Sequence, residues 1–505
     1  MSSPARGPLP DPAAVALVVG SSAAVLVVEI VALRLLAPYL GLTLETSTLV
    51  IGLALTAIAL GSWAGGRLAD TVPPRRLLPP LLAVSGVVVA ATPFVVRAAG
   101  TSPGTGLVLL AASASLVLPA ALLSAVTPLV TALQLTTLDR TGSVVGRLSG
   151  LSTAGAILGT VVTGFVLISR VPVSGILVGL GAALAVVGVV LAVLLRGGRP
   201  PVAALLLVGL GGVGAAAAPG GCDVETGYHC AQVVADPDGP PGSQVLVLDG
   251  LRHSYVVPDD PLHLDFGYTQ AIASYLDVFR PEGEPVDGYH LGAGGLTVPR
   301  YLDATRPGST ARVSEIDRGV VAVDETLLGT DLTPTGDLAV RVEDGRLGLR
   351  RLAPASYDVV VGDAFGGVSV PWHLTTREAV ADVRRALRPD GVYVMNIIDN
   401  GPLDLARAEL ATLRAEMAHV AVASLPDTLA LQRGGNLVAL ASDAPLDLEA
   451  WAARMQERMG EEPPGDTPPY AVLSGEALDV WIGDAPLLTD DHAPVDQLLT
   501  PYRTR

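Results

Sequence analysis

A series of apolar segments fills the first half of the chain, and this feature limits the fold more than any other. Seven segments are separated by short breaks that carry Pro, Gly and Arg. A helix needs about 20 apolar residues to cross a bilayer, so six segments predict transmembrane helices and the shorter, Gly- and Ala-rich seventh predicts one more. The segments are 14–36, 47–64, 77–96, 106–126, 148–168, 174–195 and 202–218. Residues 1–218 are therefore predicted to form an α-helical, multi-pass domain that lies in the cell membrane and contacts the lipid bilayer.

Arginines in the breaks indicate how these segments are oriented. Most follow the second, fourth and sixth segments: Arg67, Arg75, Arg76, Arg140, Arg147, Arg196 and Arg199. The positive-inside rule places these three loops in the cytoplasm. If the seventh segment crosses, the C-terminal half lies outside, where a disulfide between Cys222 and Cys230 would be natural. If it does not cross, that half is cytoplasmic.

Glu29 lies inside the first segment, where a carboxylate is costly. Arg34, one to two turns later, is its most obvious partner. Two interpretations stay open, namely a structural Glu–Arg pair near the membrane interface and a functional acid in a transporter-like bundle.

The charge balance excludes some classes of partner and chemistry. Eleven arginines oppose five acids before residue 219, so the acid excess of the chain, with its net charge of −17, lies in the C-terminal half. Nucleic acid is therefore excluded as a partner, since a phosphate backbone needs a basic face. The chain contains no lysine, which excludes Schiff-base chemistry. Two cysteines without clustered histidines are too few for a zinc site, and no metal is expected.

A glycine-rich turn follows a short strand in the acidic half. Tyr289 and Leu291 lead into Gly292, Gly294 and Gly295, and a second strand ends in Glu315 about 20 residues later. Glycines let the backbone approach a ligand beside a helix N-terminus, and an acid at this spacing can accept both hydroxyls of a ribose. Thr297 stands where a dinucleotide fingerprint has its third glycine. The pattern predicts a site for an adenosine-type ligand.

Two further strands end in acids, at Asp344, which precedes Gly345, and at Asp363. The carboxyl ends of parallel strands lie at one edge of a sheet, and α/β sheets bind ligands at that edge. We therefore expect the acids at 315, 344 and 363 to surround the glycine turn.

A hairpin pattern precedes this region. It comprises Glu225 to His229, a Pro/Gly loop and the strand Gln244–Leu248 with an Asp-Gly turn. We predict a small β subdomain at 219–268 and a Rossmann-like domain at 269–505.

The ordered motifs resemble the spermidine synthase (polyamine aminopropyltransferase) family. They are Thr226-x-Tyr228, Val247-Leu248-Asp249-Gly250, Asp265-Phe266-x-Tyr268, the turn at 292–295, Glu315-Ile316-Asp317, Asp344-Gly345 and Tyr357-Asp358 to Asp363. The membrane half is similar to the membrane-fused branch of this family, through the stretches at 29–41 and 60–70 and the ending at 488–496.

This resemblance implies a methyltransferase-type Rossmann fold that moves an aminopropyl group from decarboxylated S-adenosylmethionine to an amine or polyamine acceptor. Glu315 would hold the ribose, Asp344 and Gly345 the adenine edge, and Gly292, Gly294 and Gly295 the sulfonium side. Asp363 would deprotonate the attacking amine. The acceptor site would be lined by Tyr228, His253, Asp265, Tyr268 and Gln270. The resemblance also leaves room for a homodimer.

Departures from the family pattern affect this expectation. Gly295 and Gly366 stand where the family has acids, Gln270 where it has a glutamate, and His253 where it has a glutamine. Two alternatives therefore stay open. One is an S-adenosylmethionine-dependent methyltransferase acting on a small or lipidic acceptor. The other is a non-catalytic membrane transporter whose C-terminal domain senses a nucleotide or polyamine.

Overall fold

The protein is described here by a computed structural model covering residues 9–40, 44–100, 105–135, 141–168, 170–196, 222–330, 337–366, 370–461 and 469–500. The chain divides into two compact units, residues 1–221 and residues 222–505. In its described part the first unit is helical, and the second combines helices with two sheets. This architecture confirms the predicted fold class.

Long apolar helices form the first unit. They are α1 (Asp11–Leu40), α2 (Leu44–Thr71), α3 (Pro74–Gly100), α4 (Thr105–Ser124), α5 (Val126–Gln134), α6 (Thr141–Val162), which a π-helical segment (Thr163–Leu167) continues, and α7 (Val173–Arg196). One residue, Ala125, separates α4 from α5, because Pro128 has no N–H to donate to the carbonyl of Ser124.

Within the described residues, six stretches of these helices are long and apolar enough to cross a membrane. They are Asp11–Leu36, Thr46–Thr71, Pro74–Ala99, Leu109–Gln134, Thr141–Leu167 and Val173–Leu195. Six of the predicted segments are thereby confirmed as helices of membrane-spanning length and composition. The seventh, 202–218, lies outside the described residues.

Small residues allow these helices to pack closely. An ideal Cβ on Gly61 of α2 would lie 2.1 Å from the carbonyl oxygen of Ala121 in α4, and one on Gly65 would lie 2.7 Å from the Cα atom of Ala125. Such backbone approach is how small residues hold helices together in a bilayer, where apolar burial supplies little driving force. The α2–α4 contact therefore depends on glycine.

We expect Gly61→Ala to lower the midpoint temperature of helix unfolding in detergent, because even one methyl group overlaps the α4 backbone and overpacking costs about 1–3 kcal/mol. Gly66→Ala on the same helix is the matched control, since a Cβ there meets no atom within 4 Å. Circular dichroism on heating measures both variants. Equal midpoints for the two would contradict the close contact.

A four-stranded antiparallel sheet begins the second unit, in the order β1 (Val224–Glu225), β2 (Cys230–Ala235), β3 (Gln244–Leu248) and β4 (Leu251–Val256). Asp249 and Gly250 form the predicted turn between β3 and β4, both with positive φ. Residues 226–229, predicted as strand, instead form the turn between β1 and β2 because Thr226 Oγ1 accepts hydrogen bonds from the backbone N–H groups of Tyr228 and His229. The Sγ atoms of Cys222 and Cys230 are bonded to each other across this turn.

An eight-stranded mixed sheet follows, in the spatial order β12-β10-β11-β9-β8-β5-β6-β7. Its strands are β5 (Asp287–Leu291), β6 (Thr310–Glu315), β7 (Leu338–Val342), β8 (Tyr357–Gly362), β9 (Leu387–Asp399), β10 (His419–Ser424), β11 (Gly435–Ser442) and β12 (Ala471–Ser474). Strands β5 to β9 pair in parallel, and β10 to β12 pair antiparallel. The chain order reverses between β5 and β8, and α/β sheets open a ligand crevice at such a switch point.

Helices cover both faces of this sheet. They are α8 (Gly267–Phe279), α9 (Thr297–Thr305), α10 (Arg318–Thr326), α11 (Gly345–Arg351), α12 (Arg377–Ala386), α13 (Asp404–Glu416), α14 (Pro426–Leu429), α15 (Leu448–Glu461), α16 (Gly475–Ile482) and α17 (Val495–Leu498). Alternate residues of β8 enter opposite cores, since Val360 packs with α12 and α13 whereas Val359 and Val361 pack with α8 and α15. Burial on both faces holds the strand ends in fixed positions.

Candidate active site

The glycine turn begins where β5 ends and leads through a 3₁₀ turn (Gly294–Leu296) into α9. Gly292 and Gly295 have φ of 97° and 73°, a region that side chains with a Cβ rarely adopt. A Cβ on Gly292 would lie 2.4 Å from the carbonyl oxygen of Asp363. The turn and the residue that follows β8 are therefore in contact, and glycine is required at 292 for that approach.

Glu315 lies at the end of β6, beside this turn. Its Oε2 accepts the backbone N–H of Ala293 at 2.9 Å, and its Oε1 accepts that of Asp317 at 2.7 Å. Burial raises the pKa of Glu315, while these two N–H groups act in the opposite direction. Each carboxylate oxygen keeps a lone pair, so Glu315 can still accept two hydroxyl groups.

The side of the turn at Gly295 is closed by neighbouring elements. A Cβ there would lie 2.5 Å from the Cβ of Ser254 on β4, and the Ser254 hydroxyl donates to the carbonyl of Gly294. On the other side, Asp324 of α10 accepts the N–H of Gly295 at 2.9 Å. Burial raises the pKa of Asp324 well above its usual range. No acidic side chain fits at position 295 without a shift of β4.

Asp344 and Gly345 lie at the start of α11. Asp344 is the N-cap of this helix and accepts the N–H of Leu347 at 2.9 Å, and its other oxygen lies 3.3 Å from Nε2 of His373. A Cβ on Gly345 would lie 2.9 Å from a methyl carbon of Leu291 at the end of β5. This pair is thus close to the glycine turn, as the strand-end argument expects.

Among the described residues, two side chains donate hydrogen bonds to the carboxylate of Asp363. Asn396 of β9 donates Nδ2–H to its Oδ1 at 2.8 Å, and the hydroxyl of Tyr268 on α8 donates to its Oδ2 at 3.3 Å. Asn436 of β11 in turn donates to Oδ1 of Asn396 at 3.0 Å, which directs the Asn396 amide toward Asp363. Burial raises the pKa of Asp363 to about 6, although both donors lower it. At neutral pH the group is a carboxylate that can take up a proton.

Histidines of the small sheet form a second cluster. Nδ1 of His229 lies 2.7 Å from Oδ2 of Asp249, and its ring centroid is 6.3 Å from that of His253. Burial alone would lower the pKa of His229, but the carboxylates of Asp249, Asp317 and Glu315 together outweigh this and raise it. Burial lowers the pKa of His253 to about 4, so this ring is neutral. Among the described residues its shielded Nε2 has no hydrogen-bond partner.

The remaining predicted acceptor-site residues differ in their surroundings. Tyr228 is 37% exposed, and its backbone N–H donates to Asp317 at 3.2 Å. Asp265 forms an ion pair with Arg252. Gln270 donates its amide to the carbonyl of Leu264 at 2.7 Å. Their role in binding an acceptor stays a prediction.

Several contacts at this site were not expected from the sequence. Asn396 bonds Asp363, and Ser254 and Asp324 bond the glycine turn. Further out, Asn436 bonds Asn396, and Asp249 bonds His229. Two of these residues carried a signal: Asn396 is a lone polar residue in the apolar run of β9, and Asp249 belongs to one of the motifs that carry the resemblance. No group of three or more His, Cys, Asp or Glu within the described ranges could hold a metal ion.

Comparisons with known proteins agree with the motifs. The chain is 29% identical over 138 residues to the polyamine aminopropyltransferase of Chromobacterium violaceum, a match that covers 27% of this chain and 51% of that protein. It is also 29% identical over 254 residues to the polyamine aminopropyltransferase of Vibrio vulnificus, covering 48% of this chain and 79% of that one. The chain is therefore similar in sequence to polyamine aminopropyltransferases.

Two further comparisons concern the fold and the family models. A crystal structure of a probable spermidine synthase from Corynebacterium glutamicum is 26% identical, with a TM-score of 0.48, and the match covers 53% of this chain and 95% of that one. No protein-family model matches the chain. The first relative is matched over only about half of its length.

Proposed function

We propose that the chain is a membrane-anchored aminopropyltransferase, which uses decarboxylated S-adenosylmethionine as donor and a small amine as acceptor. The observation that carries this proposal is the placement of Asp363 against the glycine turn, opposite Glu315. Glu315 can hold a nucleoside, and Asp363 can accept a proton beside it. The six apolar stretches support attachment to a membrane.

The chemistry requires little from the protein. The nitrogen lone pair of the acceptor attacks the carbon next to the sulfonium, the C–S bond breaks, and methylthioadenosine leaves with the bonding electrons. Asp363 takes the proton of the attacking amine, and Asn396 keeps the carboxylate oriented. Glu315 would hold the ribose hydroxyls, and Asp344 with Gly345 would contact the adenine edge. Alignment of nitrogen and carbon supplies most of the rate enhancement.

The lack of room for an acidic side chain at Gly295 favours methyl transfer as the alternative function. Without an acid there, the amino group of an aminopropyl donor has no carboxylate from the turn itself, and ordinary S-adenosylmethionine with methyl transfer becomes the second candidate. Both reactions use the same ribose and adenine contacts. They differ in which carbon next to sulfur is attacked.

Calorimetric titration of the detergent-solubilised protein tests the choice of donor. We expect decarboxylated S-adenosylmethionine and methylthioadenosine to bind, and S-adenosylmethionine to bind more weakly than the decarboxylated donor. Tighter binding of S-adenosylmethionine, together with S-adenosylhomocysteine formation, would favour methyl transfer. Absence of binding by all three compounds would contradict both enzymatic functions.

The acid limb of the rate–pH profile depends on Asn436. Since Asp363 must be ionised to accept a proton and its pKa is about 6, we expect turnover to fall as the pH drops below 6. Asn436→Leu frees the Asn396 amide to rotate away, which removes a hydrogen bond that lowers this pKa, so the limb should move to higher pH. Steady-state rates between pH 5 and 9 measure the shift; an unmoved limb would contradict the relay. Asn436→Gln is the control that keeps an amide.

A further inference from the structure

Among the described residues, no charged side chain neighbours the carboxylate of Asp363. Across the described residues, only burial, Asn396 and Tyr268 shift its pKa. The sequence from Ala364 to Pro371 contains no acidic residue. Within the part of the chain that the structure describes, an ammonium group next to Asp363 is therefore matched by one negative charge, and a second ammonium group on the same molecule needs another carboxylate within reach.

Aromatic rings extend from Asp363 along one side. Tyr268, which donates to Asp363, stacks on Phe266 at a centroid distance of 5.9 Å. Tyr470 packs in the same cluster, and its hydroxyl lies 3.1 Å from the ideal Cβ position of Gly267. These rings offer apolar surface to the body of an acceptor.

A guanidinium group follows the rings. Cζ of Arg252 lies 5.3 Å from the ring centroid of Phe266, and its Nη2 is 3.2 Å from Oδ2 of Asp265. Asp265 is the acid among the residues predicted to line the acceptor site, but Arg252 already compensates its charge. An approaching cation thus meets a positive group two aromatic rings away from Asp363.

Asp399, the acid on β9 nearest to Asn396 in sequence, does not supply the second carboxylate. Asp399 is fully buried and accepts the backbone N–H groups of Asn400 and Ala406 at 2.7 and 3.1 Å. It is three residues from Asn396, so the two side chains point to opposite faces of the sheet. Asp399 cannot meet an ammonium group bound on the Asp363 side.

We propose that the acceptor is a monoamine with an apolar body, and that Arg252 acts against acceptors carrying a second ammonium group. This inference rests on the proposed aminopropyl transfer and names the substrate class of the same site. One carboxylate receives the reacting amine, the rings of Tyr268 and Phe266 contact its body, and Arg252 with Asp265 closes the far end.

Two acceptors with the same four-carbon chain test the inference. The full-length protein in detergent is supplied with decarboxylated S-adenosylmethionine and either 1-aminobutane or 1,4-diaminobutane, and methylthioadenosine is measured. We expect kcat/KM for the monoamine to exceed that for the diamine about tenfold, the ratio that corresponds to roughly 1.4 kcal/mol. Equal values, or a preference for the diamine, overturn the inference and leave aminopropyl transfer intact. Absence of methylthioadenosine with both amines overturns the proposed function itself.

Variants of Arg252 identify its contribution. Arg252→Gln removes the positive charge and frees Asp265, so the diamine-to-monoamine ratio of kcat/KM should rise about fivefold, the upper range for an exposed ion pair. Arg252→Lys keeps the charge and should keep the ratio within twofold of the wild-type value. Both acceptors are measured on one preparation, so the ratio does not depend on the folded fraction. An unchanged ratio in Arg252→Gln would overturn the assignment of Arg252.

Discussion

Asp363→Asn is expected to lower kcat by about 10³, within the range of positioned general bases. An amide at this position still accepts a hydrogen bond but does not take up the proton that the attacking amine must lose. Binding of the nucleoside donor should persist, because Glu315, Asp344 and the glycine turn are unchanged. Methylthioadenosine formation measures the rate, and calorimetry measures the affinity.

The same variant separates an enzyme from a sensor. A sensing domain would bind its ligand and respond to it equally well with aspartate or asparagine at 363. A reduction in turnover of less than tenfold would contradict the role of Asp363 as the base. Asp363→Glu is the control that keeps the charge, and it should retain more activity than the amide.

Glu315→Ala is expected to weaken donor binding about 100-fold, since a hydrogen bond to a charged group contributes roughly 1.5–3 kcal/mol. Two effects combine in this variant. The ribose loses its acceptor, and the N–H groups of Ala293 and Asp317 lose the carboxylate that holds the turn. Calorimetric titration with methylthioadenosine measures the loss without requiring turnover.

Two further variants serve as controls for Glu315→Ala. Glu315→Gln keeps the size of the side chain but replaces one carboxylate oxygen by an NH2 group. This group is a donor and cannot accept a backbone N–H or a ribose hydroxyl, so we expect an intermediate affinity. Asp303→Ala removes an exposed acid from α9, the helix that follows the turn, and should leave the affinity unchanged. Equal affinities for Glu315→Ala and Asp303→Ala would remove Glu315 from the binding site.

Elements with a strong local signal could be predicted from the sequence. The membrane-length helices follow from apolar length alone, and six of them have the expected position. The places of Glu315 and Asp363 follow from parallel strands, whose carboxyl ends share one edge whatever the connecting helices do. Both predictions needed only short stretches of sequence.

Contacts that depend on strand register could not be predicted in this way. Asn436 reaches Asn396 because β11 pairs antiparallel with β9, and a slip of one residue would turn either side chain to the other face. Asp324 and Ser254 contact the glycine turn from elements 29 and 40 residues away. The ion pair of Asp265 with Arg252 likewise depends on how β4 folds back toward α8. These distant partners change what the predicted residues can bind.

The conformation of the glycine turn depends on three segments of the chain: the turn itself, β4 and α10. Ser254 of β4 holds the carbonyl of Gly294, and Asp324 of α10 holds the N–H of Gly295. Val256 of β4 packs in one cluster with α10, so the two supports are joined to each other. Transplanting an acidic loop from a relative into positions 292–295 alone would therefore misfit, and a functional chimera would have to carry β4 and α10 as well. A change of donor preference in this domain would therefore require coordinated substitutions in the turn, β4 and α10, and not a single substitution.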